Sequence, residues 1–216
     1  MQALFPVWAN TVVRAALFIG ATSAVGIPVW FMVYVRTPYN NDELKPLDQP
    51  VEFDHRHHAN DDGLDCRYCH SNAEKSQYAG IPPTSLCMNC HAQIWSSASL
   101  FDPVRKSYYN DTPITWQRVY RLPDFVFFNH AVHVRRGVGC RSCHGRVDQM
   151  ARVYRVAPLT MGWCLDCHRH PEAHLVPVDR VTDMTYEPDR PPDIIGREIK
   201  EALHIDPPTT CSGCHR

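Results

Sequence analysis

Every cysteine in this chain of 216 residues belongs to one pentapeptide, Cys-x-x-Cys-His, and that pentapeptide occurs five times. The copies are Cys66/Cys69/His70, Cys87/Cys90/His91, Cys140/Cys143/His144, Cys164/Cys167/His168 and Cys211/Cys214/His215. Two thiols at this spacing reach the two vinyl groups of one porphyrin, while the adjacent imidazole swings under the iron as proximal ligand. The motif therefore predicts five covalently bound c-type haems. Zinc knuckles explain it less well, because a closed zinc site gathers four ligands from two such pairs and gives no reason for a histidine after every second cysteine. A disulfide framework would not set every cysteine in the same pentapeptide.

Haem changes the size argument. Residues 36–216 provide about 36 residues per haem, too few to build a separate core around each porphyrin. The haems themselves must serve as the core, packed near one another. The expected fold class is a multihaem cytochrome c, irregular, with mainly short α-helices and loops wrapped round five haems and one N-terminal transmembrane helix. The 18 prolines and 10 glycines suit such a wrapping chain. A net charge of −1 argues against nucleic acid as a partner. Locally, eight acids between Asp42 and Asp65 face only Lys45 and Arg56, whereas Arg135, Arg136, Arg141, Arg146, Arg152 and Arg155 face Asp148 alone. Neutralisation of haem propionates is the expected use of that basic run, with docking of an acidic redox partner as the alternative.

The chain divides into a transmembrane anchor (residues 1–36), a linker (37–51), a first dihaem module (52–95), a connector (96–122), a second dihaem module (123–174) and a C-terminal extension with the fifth haem (175–216). Ala15 to Val35 is an uncharged run of 21 residues, about 31 Å as a helix and enough to span a bilayer. Arg14 and Arg36 bracket it, Trp30 and Tyr34 suit the interface, and Pro28 marks a kink point. A cleaved signal peptide competes, with Ala21-Thr22-Ser23-Ala24 as the cleavage site, but the apolar run continues eleven residues past Ala24. Haem attachment in bacteria is completed outside the cytoplasmic membrane, so the expected placement is a single-pass protein of that membrane with its haem domain on the periplasmic side. The prolines of the linker predict an extended segment lifting that domain off the membrane.

The modules announce themselves by repetition. Phe53-x-His55-x-x-His58 precedes the first Cys-x-x-Cys-His motif as Phe128-x-His130-x-x-His133 precedes the third. Two imidazoles three residues apart on one helical turn point the same general way and cannot clamp one iron from opposite sides. His55 and His58 should therefore serve two different haems of the first module as distal ligands, and His130 and His133 two haems of the second. For the remaining sixth ligand the candidates are His204, His174, Met150 and Met161, with Met184 a further methionine. His57 is expected at the surface or on a propionate, and His170 is unassigned.

Phe53-Asp-His-Arg-His-His58, Cys66-Arg-Tyr-Cys-His70, Trp116-Gln-Arg-Val119, Leu122-Pro-Asp-Phe-Val-Phe-Phe-Asn-His130 and Met161-Gly-Trp-Cys-Leu-Asp-Cys-His168 carry a resemblance. Together they resemble the membrane-anchored pentahaem cytochrome subunit of bacterial alternative complex III, a quinol:electron-acceptor oxidoreductase. The two histidine-pair modules are shared more widely, with class III multihaem cytochromes. The resemblance implies an electron-transfer subunit of a respiratory or photosynthetic chain, not an enzyme by itself. Its partners would be an iron–sulfur subunit, integral-membrane quinol-binding subunits, and a monohaem cytochrome c subunit or a soluble cytochrome c or blue-copper acceptor. Two alternatives stay open: a stand-alone membrane-anchored quinol dehydrogenase feeding a periplasmic reductase, and a multihaem oxyanion reductase. The distance from Val35 to Cys66, 31 residues with a Pro-rich linker, disfavours the first. The surplus of histidines disfavours the second, because reduction of an oxyanion needs an open distal position.

Overall fold

Twenty-six consecutive residues, Ala9–Tyr34, form helix α1, and none of them is buried. At 26 residues, about 39 Å, it is long and apolar enough to cross a membrane. The helix begins six residues before the uncharged run, takes in Arg14 and passes through Pro28 without a break, at the loss of one amide donor. This computed structural model describes residues 5–215; residues 1–4 of the amino-terminal leader and Arg216 of the C-terminal extension lie outside the described residues.

The chain divides into two units after Asp42, whose φ of 57° is left-handed. The first holds α1 and one further helical turn, α2 (Pro38–Asn41). The expected linker is thus shared between the units, because residues 43–49 find partners within the second. The Leu44 amide donates to the Arg155 carbonyl at 2.7 Å, and Asp48 pairs with Arg152. The Gln49 side chain makes two hydrogen bonds of 2.9 Å with the Gln117 backbone. Backbone that satisfies its donors this way is part of a fold and no longer a free tether.

The second unit is built of short helices joined by loops: a turn of π-helix at Arg56–Asp61, then α3 (Cys66–Cys69), α4 (Thr84–His91), α5 (Asp102–Tyr109), α6 (His130–Arg135), α7 (Cys140–His144), α8 (Met161–Arg169), α9 (Pro192–Ala202) and α10 (Cys211–Cys214). Among the described residues β-structure is limited to isolated bridges, Glu43 with Arg155, Val126 with His215 and Val138 with Leu175. Helix α9 packs on residues 171–174. Gly196 is buried there so closely that a Cβ would run into the Glu172 backbone, and Lys200 Nζ donates to Glu172 Oε1 at 2.6 Å.

The apolar core made by protein alone is thin. Val51, Met88 and Val104 form one cluster with Cys87, Phe101, Ile114 and Trp116 around it. Among the described residues only Val181, 1% exposed, is a fully buried side chain. A unit of this size with so little apolar burial of its own needs other apolar matter to drive its folding.

Candidate functional site

All five pentapeptides fold as helical turns. Asp65 caps α3 by accepting the Arg67 amide at 2.8 Å, Thr160 caps α8 by accepting the Trp163 amide at 3.3 Å, and the amides of His70 and His215 close onto the carbonyls of Cys66 and Cys211 at 2.8 and 2.9 Å. A helical turn places residues three apart on one side, so each motif presents both thiols together with the histidine just beyond. No two of the ten cysteines are joined in a disulfide. Among the described residues no three His, Cys, Asp or Glu side chains gather as a metal site, so the closed zinc knuckle has no counterpart in the geometry.

The thiols are not equally covered. A haem-filled core leads one to expect every tethering thiol at least partly enclosed, and eight of the ten are. Cys90 departs from that expectation, as does Cys211: both are exposed. The reason at Cys90 is the way α4 packs. Met88 is buried in the apolar cluster with Val51 and Val104, and Cys87 lies against it, whereas Cys90 stands outside that cluster and is exposed. Cys211 stands at the start of the short α10.

The imidazoles stand in pairs. His58 faces His91 with ring centres 6.0 Å apart, His130 faces His144 at 6.4 Å, and His133 faces His168 at 6.1 Å. With about 2 Å from metal to nitrogen and about 1.1 Å from nitrogen to ring centre, two imidazoles on opposite sides of one metal have centres about 6 Å apart. Each pair joins one histidine from a Cys-x-x-Cys-His motif to one from a Phe-x-His-x-x-His segment. His55 completes the set beside His70. Burial, then the neighbouring charges of His70 and His58, pushes its pKa down to about 4.

Ring orientation is held from behind. The Nδ1–H groups of His70, His91 and His168 donate to the carbonyls of Gly80, Ile94 and Pro208 at 2.8, 3.1 and 2.7 Å. Those of His58, His130 and His133 donate to Asp54, Ala73 and Asn129 at 3.2, 2.9 and 2.8 Å. A carbonyl on Nδ1 fixes the tautomer and leaves Nε2 with its lone pair for a metal. His55 differs: its Nδ1 is buried with no hydrogen-bond partner among the described residues, which fits a ring with a metal bond to make. Burial also depresses His133, and it pushes His144 down to about 4, with His130, His70 and His55 adding to the effect. His55, His133 and His144 are thereby held in the neutral form that a metal ligand needs.

The sequence repeat is a repeat of geometry. Phe53 stacks on His58 at 4.5 Å and meets His55 edge-on, while Phe128 stacks on His133 at 4.7 Å and meets His130 edge-on. The backbones differ, since His55 and His58 ride the π-helical turn and His130 and His133 ride α6, capped by Asn129. The repeats are also interlocked: the amides of His130 and Ala131 donate to the carbonyls of Gln77 and Ser76 at 3.1 and 3.0 Å.

Neighbouring thiols reveal the order of the motifs. Burial raises the Cys69 thiol, and Cys87 beside it adds to the rise. The Cys66 and Cys140 thiols act on each other, which lowers the first and raises the second, and residues 181–182 touch both residues, through Cys140 N–H to Val181 O at 2.8 Å and Cys66 Sγ to Thr182 O at 3.9 Å. Burial pushes the Cys143 thiol up to about 12, with Cys167 and Cys164 contributing, and Cys214 adds to the burial that raises Cys164. The motifs thus follow one another as 87, 66, 140, 164 and 211, an order that the chain sequence does not have. The exposed thiols, Cys90 and Cys211, belong to the two end motifs.

Of the other candidate ligands, Met150 and Met184 are buried, 5% and 7% exposed, and His204 is exposed in a left-handed conformation. His174 is half-buried and accepts the Gly139 amide on its carbonyl. Met161 is 65% exposed at the start of α8. The structure brings Phe125 and Val126 against His215, with the Phe125 ring 5.8 Å away. His57 lies at the surface with Nδ1 3.1 Å from Asp61, and exposed His170 sits by Asp166. Sequence reasoning missed Phe101, 4.1 Å from the His91 ring, and Tyr120, 4.4 Å from His144. Both lie in residues 96–122, which line two motifs besides connecting the modules. Their signal was an aromatic in an otherwise plain segment, too common to single out.

The Class III cytochrome C family model matches residues 32–113, and the model for cytochrome c7 and related cytochrome c matches residues 126–216. Over 135 residues the chain is 33% identical to a protein of Nitratidesulfovibrio vulgaris named menaquinone reductase, multiheme cytochrome c subunit. The match covers 60% of this chain and spans 58% of that relative's length. Cytochrome c families bind haem iron covalently, and the thiols and paired imidazoles of this chain fit that group.

Proposed function

We propose that this multihaem cytochrome c carries five c-type haems in a single file and is the electron-transfer subunit of a quinone-linked oxidoreductase complex. Helix α1 anchors it in the bacterial cytoplasmic membrane, with residues 43–216 on the periplasmic side. The observation that carries the reading is the set of imidazole pairs 6.0–6.4 Å apart, each with one member in a Cys-x-x-Cys-His motif. When bound, haem supplies a reversible one-electron iron couple at each motif.

The chain's own residues do the rest. The ten thiols would tether the porphyrins, and His70, His91, His144, His168 and His215 would hold the irons together with His55, His58, His130 and His133 at four of the motifs, a ligand supply that favours electron transfer over oxyanion reduction. Because His55 and His58 share one turn, as do His130 and His133, each turn draws two motifs together. Met161 is the best placed of the remaining ligand candidates: it is exposed, and it opens the helix whose Cys164 lies beside Cys214 of the last motif.

The resemblance to the pentahaem subunit of alternative complex III supports an iron–sulfur subunit and integral-membrane quinol-binding subunits as partners, with a monohaem or soluble cytochrome c or a blue-copper protein as acceptor. The ends of the file, at Cys87 and Cys211, are the places for electrons to enter and leave. The name of the Nitratidesulfovibrio relative favours a second reading with the opposite direction, towards menaquinone. Purification through a tag on this chain, with haem counting, partner masses and reduction by a quinol, tests both. Five haems, an iron–sulfur partner and rapid reduction by quinol support the first direction. Reduction of a menaquinone analogue by a soluble cytochrome supports the second, and a partnerless pentahaem monomer inert to quinones rejects the complex.

A further inference from the structure

We infer that Arg155 binds a propionate of the haem carried by Cys140, Cys143 and His144. This rests on the reading that the third motif binds haem. The basic run from Arg135 to Arg155 has largely found partners within the protein. Arg141 donates to Glu187 at 2.9 Å, Arg146 grips Asp148 with bonds of 2.9 and 2.7 Å, and Arg152 pairs with Asp48. Arg135 donates to the Glu74 carbonyl at 2.6 Å, and Arg136 to that of Leu203. Arg155 is different, because its Nε is buried and has no hydrogen-bond partner among the described residues.

A guanidinium keeps its charge at any pH the protein meets, so an unmatched buried N–H is costly until an acceptor arrives. The neighbourhood identifies that acceptor. Tyr120 donates its hydroxyl to the Cys143 carbonyl at 3.0 Å, receives the Val156 amide at 3.2 Å and lays its ring 4.4 Å from His144. Gly145, at a φ of 62°, comes so near Val156 that a Cβ would sit 3.1 Å from its methyl groups. Residues 155–156 are therefore packed on the third motif. The Arg155 backbone is itself fixed, since its carbonyl accepts the Leu44 amide at 2.7 Å and it bridges to Glu43. A c-type haem brings two carboxylates, and the planar arginine fork is shaped to receive one. The positive charge so placed favours the reduced form of that haem and raises its potential.

The test is a spectroelectrochemical titration of the full-length haem-loaded protein, comparing wild type with Arg155→Gln, Arg155→Lys and, as control, Arg152→Gln. Peptide masses report which motifs carry haem. In Arg155→Gln one haem's share of the absorbance moves to lower potential while every motif keeps its haem; Arg155→Lys shows a smaller shift, and Arg152→Gln titrates as wild type. An Arg155→Gln titration that overlays wild type, with haem present on the Cys140–His144 peptide, overturns the inference. A wild-type peptide without haem rejects instead the reading on which it rests. Should Arg155→Gln not accumulate, an experimental structure of the loaded protein decides: Nε about 3 Å from a propionate oxygen supports the assignment, and Nε facing only protein removes it.

Discussion

Replacing Tyr120 by phenylalanine separates two roles that one side chain combines. The half-buried hydroxyl donates to Cys143 O at 3.0 Å and accepts from Val156 N at 3.2 Å, so it stitches residues 96–122 to the third motif and to the segment carrying Arg155. Each such bond contributes about 0.5–1.5 kcal/mol, and losing both leaves two backbone groups short of a partner. The expected destabilisation of Tyr120→Phe is therefore about 1–3 kcal/mol. The ring remains, and with it the 4.4 Å contact with His144, so haem content and low-spin character stay unchanged. Tyr120→Leu loses the ring contact too, at a further cost of about 0.5–1.5 kcal/mol. Urea unfolding of the haem-loaded protein in detergent, followed by the Soret band and by tryptophan emission, measures the midpoint and slope together. An unchanged midpoint in Tyr120→Phe would refute the hydroxyl's role. Loss of haem from the Cys140–His144 peptide in that variant would refute the separation of ring from hydroxyl.

Ligand deletions test which imidazole serves which motif. His58→Ala should give one high-spin, cyanide-binding haem on the motif of Cys87, His133→Ala one on that of Cys164, and Met161→Ala one on that of Cys211, while His57→Ala stays fully low-spin. Electron paramagnetic resonance reads the spin state, and a spectrum of His133→Ala that matches wild type would break the pairing with His168. Gly196→Ala puts a methyl group into the Glu172 backbone and forces α9 away from residues 171–174. The expected loss is about 1–3 kcal/mol, reduced by up to about 1 kcal/mol of helix propensity, and a midpoint of urea unfolding above wild type would contradict it.

The repeated motif and the repeated histidine pairs were legible because covalent and coordinate chemistry demands residue types at short, fixed spacing. His55, His58, His130 and His133 were read from their i,i+3 spacing alone, and the structure sets three of them opposite the motif histidines. Less local features escaped. Gly80, Ala73, Ile94 and Pro208 orient the imidazoles through backbone carbonyls, which every residue type possesses. Identical motifs gave no hint that Cys90 would stand exposed while Cys87, in the same turn, packs against the apolar cluster. Residues 43–49 read as a linker because prolines and charges look alike in a tether and in a strap. Only the partners Arg155, Arg152 and Gln117, more than 60 residues away, reveal the strap.

The basic run shows the same division. Six arginines in 21 residues led to the expectation of haem propionates or an acidic partner, with no sign of which groups within the chain they would meet. Glu187, Asp148 and Asp48 take three of the arginines, and only burial of Arg155 Nε marks one as still requiring an acceptor. The sequence by itself determined the spacing of the paired thiols and which histidines share a turn, consequences of distances within a few residues. The order of the motifs, with Cys87 and Cys211 at the ends and Cys66 against Cys140 in the middle, was decided by tertiary structure. That order depends on loops packing across the chain, where contact is set by shape and burial and leaves no fixed spacing to read.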